Sequence, residues 1–232
     1  MRWGIAGATI VAALAVAVTI ASVSGRAWAA SSGPAASYWH IGYYTPSGRA
    51  LSLASAPAAS GSVASLNFTN QDNTALLVTD NAGQFPTLLG NLTGKSVSAT
   101  FTISGLNGGE NFTYYGEGTS GNSCQPGVTT VRYFFETSSA GGFSYTDYWW
   151  SNPVHANLSA NGSVNLSPVS FDGANWSDWN GLSGTTESAG FNAAVSHVTM
   201  IGLSFGGGCF FENGVGTSDG SGTFTLNTFT VS

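Results

Sequence analysis

The sequence predicts an all-β chain folded as an antiparallel sandwich or barrel. Short runs that alternate, or that are rich in β-branched and aromatic residues, recur along most of its length. Turn-forming clusters of Gly, Asn, Ser and Pro separate them, with 32 glycines in 232 residues. Only residues 187–195, containing AGFNAAV, offer a helical turn or two. Many short strands with almost no helix bury their apolar faces sheet against sheet. No internal repeat period is present.

The first element is a targeting segment. Arg2 precedes an almost wholly apolar run at residues 5–23, and Ala27-Trp28-Ala29 places small residues where a signal peptidase reads them. A signal peptide over residues 1–29 and a secreted, extracellular product are expected. The alternative is an uncleaved apolar anchor, because the run is nearly long enough to span a bilayer. Residues 30–62 are expected to form an N-terminal arm. Its aromatic start, SYWHIGYY, reads as a short strand or packed arm, and the Ala/Ser/Gly/Pro-rich remainder as irregular, with a short strand near 51–53. A single β-sandwich domain then occupies residues 63–232.

Within that domain, residues 63–69 alternate, with Ala64, Leu66 and Phe68 on one side. ALLVT at 75–79 reads as a buried strand. SVSATFTIS at 96–104 directs Val97, Ala99, Phe101 and Ile103 one way and Ser and Thr the other, the pattern of a half-exposed strand. A strand at 111–115 precedes the loop that carries Cys124. Asn161-Gly162 is a strong short turn signal and predicts a hairpin joining 155–160 to 163–169. Residues 171–183, FDGANWSDWNGLS, read as a loop with two tryptophans. HVTMIGLSF at 197–205 reads as a buried strand. Either Met200, Gly202 and Ser204 or Ile201, Leu203 and Phe205 fill the core. After a Gly-rich loop around Cys209, GTFTLNTFTV closes the chain, with Phe224, Leu226 and Thr228 opposite Thr225, Asn227 and Phe229.

The most aromatic stretch is VRYFFETSSAGGFSYTDYWWSNP at 131–153. With a hairpin loop at 138–142, Glu136 faces Ser144, Phe134 faces Thr146 and Arg132 faces Tyr148. One side then carries Val131, Tyr133, Phe135, Phe143, Tyr145, Asp147 and Trp149, a core face. The other carries Arg132, Phe134, Glu136, Ser144, Thr146, Tyr148 and Trp150, where rings stand beside a cation and an acid. The competing reading buries both faces and pairs Arg132 with Glu136.

Charge excludes several functions. Five Lys and Arg stand against eleven Asp and Glu. Loss of the leader removes Arg2 and Arg26 and leaves Arg49, Lys95 and Arg132. So acidic a chain is unsuited to nucleic acid, which demands a basic surface, and to anionic membranes. No membrane partner is expected after leader cleavage. The two cysteines, Cys124 and Cys209, most simply form one disulfide in an exported protein. Closing a loop of about 86 residues, it would contribute roughly 4 kcal/mol in the chain-entropy account. There is no CxxC, and His40, His155 and His197 lack ligand spacing, so no metal site is expected.

VTMIGLSF leading through FENG into TFTLNTFTV, with GNLTGKSVSATFTI upstream, resembles the galactose-binding-like jelly-roll sandwiches. These are common as non-catalytic carbohydrate-binding modules of exported bacterial enzymes. The resemblance implies a jelly-roll β-sandwich, glycan binding through aromatic residues with polar neighbours, and in many members a structural calcium. The family often presents an acid to that metal from its final strand. Here Asn227 stands in that stretch, so no motif supports calcium and no cofactor is expected.

Sugar rings stack their C–H faces on aromatic rings, and their hydroxyls take planar polar partners. Trp176, Asp178 and Trp179 in NWSDWN, with Tyr148, Trp150 and Arg132 in the hairpin, supply both kinds of group and form the expected ligand-binding set. The opposing expectation is that the tryptophans plug the core. Glu117, Glu136, Asp147 and Asp178 could supply the paired carboxylates of a glycoside hydrolase. In the expected register, however, Glu136 and Asp147 point to opposite faces. No G-x-S-x-G and no phosphate-cradling Gly-rich loop occurs. The expected function is an exported domain that binds a polysaccharide or other glycan without catalysis. A structural or adhesive surface protein is the first alternative, and a small secreted glycoside hydrolase the second.

Overall fold

The structure, a computed structural model, describes residues 35–45, 50–58, 60–108, 111–116, 127–138, 142–152, 154–207 and 213–232. They form two antiparallel sheets packed face to face, with one α-helix, α1 (Ser188–Val195). The larger sheet runs β11 (Trp176–Asp178), β8 (Tyr148–Ser151), β7 (Thr130–Glu136), β12 (Met200–Gly206), β4 (Thr74–Thr79), β1 (Ala35–Tyr44), β2 (Leu51–Ala58). β9 (Ala156–Asn157) adds to β7, and β13 (Val215–Thr217) joins β4 to β6 (Phe112–Tyr114). The smaller sheet runs β10 (Gly162–Ser170), β5 (Ser96–Ser104), β14 (Thr223–Val231), β3 (Ala64–Asn67).

Removing apolar surface from water drives the two inner faces together. Val97, Ala99, Phe101 and Ile103 of β5 are all buried, as their alternation predicts, beside Phe224, Leu226 and Leu66. Opposite them lie Val131, Tyr133, Phe135, Trp149 and Trp39. In β12 it is Ile201, Leu203 and Phe205 that turn inward, leaving Met200, Gly202 and Ser204 to the outer face. On the outer face of the smaller sheet, hydroxyls pair across strands: Ser98 with Thr230 at 2.8 Å, Thr100 with Thr228 at 2.8 Å, Thr102 with Ser163 at 3.0 Å.

Four expectations are corrected. The segment read as an arm over residues 30–62 contributes β1 and β2, and β1 sits inside the larger sheet between β4 and β2. Its Ala/Ser-rich part carries a full strand because pairing with β1, rather than its own propensity, holds it extended. Asn161-Gly162 does not close a hairpin: β9 pairs with β7 in one sheet and β10 with β5 in the other. The Asn161 amide bonds both backbone groups of Leu106 instead, accepting at 3.0 Å and donating at 3.1 Å, and so pins a crossing between sheets. In β14 a register shift between Leu226 and Thr228 turns Phe229 back to the core, against Trp39 and Tyr133. The fourth is the β7–β8 register. Glu136 faces Tyr148 and Phe134 faces Trp150, because a 3-10 turn at Tyr145–Asp147 lengthens the connection.

A second irregularity breaks the β10–β5 register between Leu166 and Val169, where Pro168 lies. The expected leader, Glu117, Cys124 and Cys209 lie outside the described residues. Among the described residues no helix is long and apolar enough to cross a membrane.

Candidate functional site in the outer face of the larger sheet

Strand register lines up Trp150, Phe134, Gly202, Val78 and His40 in one row across β8, β7, β12, β4 and β1. Arg132, Ser204, Leu76 and Gly42 form the next row. This face is itself apolar: Leu76, Val78, Phe134 and Trp150 make a second buried cluster, with Tyr44, Tyr148, Trp179 and Met200 packed against it. β12 brings only Gly202 and Ser204 to its middle, so nothing large fills the space between Phe134 and Leu76. A cleft of about 290 Å³ lies there. The buried Phe134 and Leu76 lie beneath it, and the more exposed Leu51, Tyr44, Phe143, Tyr148, Trp179 and Glu136 complete its lining.

The rings brace one another. Trp179 meets Tyr148 at 5.5 Å and 67° between planes, and Phe143 meets Trp179 at 5.6 Å and 90°. Beneath them Trp150 stacks under Tyr148 at 6.5 Å and contacts Phe134 at 5.2 Å. Tyr148 and Trp179 remain half-buried, so each keeps open surface while its back is supported.

Glu136 is the titratable group that this site perturbs most clearly. Burial pushes its carboxyl up to about 7, and the nearby charges of Asp147 and Asp80 add to the rise. Asp147 lies in a 3-10 turn rather than in a paired strand. The 3-10 turn interrupts strand alternation at Asp147 and leaves it close enough for repulsion to be felt. Asp80 in turn lies 3.4 Å from His40.

A carboxyl raised in the folded state binds its proton more tightly there than when unfolded. Stability from this group is therefore full below about pH 4.5 and is lost as pH rises towards 7. Glu136→Gln, which cannot ionise, is expected to raise stability at pH 8 by about 1–3 kcal/mol and to change little at pH 4. Urea titrations at both pH values check this, and an equal effect at the two would refute it.

The structure separates the residues expected to bind ligand. Tyr148 and Trp179 line the cleft together. Trp150 lies on the same face but is 0% exposed, a support beneath Tyr148 rather than a platform. Arg132 shares that face at 4% exposure, too buried to offer a ligand much surface. Trp176, at 1%, points into the inter-sheet core, stacked on Phe171 at 5.2 Å. Asp178, also at 1%, accepts from the backbone N–H groups of Asn180 and Leu182, both at 2.9 Å, and so shapes the turn that holds Trp179.

Six cleft residues lie outside the expected binding set: the aliphatic Leu51 and Leu76, Phe134, and the three that matter most to a ligand, Glu136, Tyr44 and Phe143. Glu136 lies on the expected face, where the sequence suggests a hydrolase carboxylate rather than a binding group. Tyr44 sat in the supposed arm. Phe143 was placed on the core face, yet is 61% exposed. The turn at Tyr145–Asp147 removes it from strand alternation, and no sequence signal marks that. Among the described residues no group of three or more His, Cys, Asp or Glu gathers to hold a metal ion.

The fold and site together define an antiparallel β-sandwich with an aromatic cleft on its outer face. Comparison with known proteins finds no matching family model, no matching characterised protein and no matching solved structure.

Proposed function

We propose that this chain is an exported, glycan-binding β-sandwich domain whose ligand lies in the outer-face cleft. One observation carries the reading: the half-buried rings of Tyr148 and Trp179 stand side by side in a cleft that also holds a carboxyl group, Glu136. Such rings offer flat apolar surface to the C–H face of a sugar, and Glu136 offers a hydrogen-bonding partner to a hydroxyl. Glu136 is the one carboxylate among the described residues lining the cleft, which favours binding over the two-carboxylate chemistry of glycoside cleavage. The resemblance to galactose-binding-like modules points the same way.

A polysaccharide panel read by affinity electrophoresis tests the proposal. Trp179→Ala is expected to weaken binding by about 10-fold or more, in keeping with a ring at a contact centre. Its effect on stability is expected to be small. Wild-type protein that binds no polysaccharide, or a folded Trp179→Ala that binds as well as wild type, would overturn it.

A further inference from the structure

Resting on that reading, we infer that the cleft selects a glycan carrying free, protonated amino groups, such as a β-1,4-linked glucosamine chain, over its neutral counterparts. The aromatic sides and the acid act on such a ligand together. Tyr148, Trp179, Phe143 and Tyr44 line a cleft of about 290 Å³, and Glu136, half-buried, lies on the same lining. Ring faces attract a cation, and more strongly where water is excluded. A sugar hydroxyl gains from stacking alone, whereas an ammonium group gains from the rings and from the carboxylate.

The acids around the cleft add to this preference. Asp147 and Asp80 already repel the ionised form of Glu136. A ligand cation relieves that repulsion, and on binding it releases the Glu136 proton to solvent. The other groups facing this end are Tyr148 from β8, Tyr44 from β1, and His40 paired with Asp80. His197 lies just before β12, its carbonyl accepting from Thr137. Arg132, further along β7, shares the outer face but is buried away from the opening. The charge at the cleft is thus negative above neutral pH, and the mature chain's acidity extends that field.

Isothermal titration of the full chain decides it, with three β-1,4-linked hexasaccharides: glucosamine, N-acetylglucosamine and glucose. Choline and its uncharged isostere 3,3-dimethylbutan-1-ol serve as small probes of fixed charge. The glucosamine chain is expected to bind about 10-fold or more tighter than the glucose chain, and Glu136→Gln to abolish the difference. Choline affinity is expected to fall about tenfold for each pH unit below 7, while the isostere does not respond. Should Glu136→Gln fail to fold, the wild-type choline profile decides alone. Equal affinity for charged and neutral chains would overturn the inference and leave the glycan proposal standing. Choline bound in this pH-dependent way with no saccharide bound would overturn the glycan proposal and, with it, the amino-sugar ligand. No binding of any probe overturns both.

Discussion

Trp176→Ala is expected to destabilise the fold by about 3–5 kcal/mol, the range for removing a fully buried indole. The ring lies parallel to Phe171 at 5.2 Å, meets Phe135 edge-on at 4.8 Å, and donates from Nε1 to the Ser170 carbonyl at 2.9 Å. Its loss opens a cavity in the inter-sheet core and leaves that carbonyl only the longer 3.4 Å contact from the Asn175 amide. Trp179→Ala, three residues on, removes a half-exposed ring and should cost far less. Urea unfolding of both variants, followed by circular dichroism, makes the comparison. If Trp176→Ala cost under about 1 kcal/mol, the assignment of this ring to the core would fail.

Gly202→Ala is the second large effect. A Cβ at this position would sit 2.2 Å from the Leu77 carbonyl oxygen and 2.7 Å from the Val78 Cα, both backbone atoms of β4. No side chain can swing aside to relieve that contact, so β12 and β4 must separate or shift register. A loss of about 2–3 kcal/mol is expected, at the upper end for overpacking. Because Gly202 lies between Phe134 and Val78, next to the cleft, a shift of β12 against β4 moves Phe134 relative to Leu76, and the variant is expected to lose ligand binding under conditions where it still folds. A variant as stable as wild type would show that β12 and β4 are not packed as described.

The alternation of β5 was legible because one of its faces meets the core and the other meets water. In the middle strands of the larger sheet both faces are buried, one in the inter-sheet core and the other in the Phe134–Trp150 cluster. β4 and β7 therefore read as nearly unbroken apolar runs, and β12 could not reveal which residues turn inward. The Tyr148 face was still assigned correctly. The actual β7–β8 register differs from the expected one by four residues, an even number, and even shifts leave each side chain on its own face. Trp176 and Trp179 could not be told apart. Both are tryptophans beside Asp178, and only the pairing of β11 with β8, followed by the turn at Asp178, sends one inward and the other out.

One end of each sheet carries a safeguard against growth. Strands β2 and β10 each stand at the margin of a sheet, where unpaired backbone groups invite a second molecule to continue the ladder. Pro57 in β2 and Pro168 in β10 have no N–H to offer, and the irregularity at Leu166–Val169 bends the second margin out of line. With so little charge to keep copies apart, those two rings guard one margin of each sheet against fibril-like stacking.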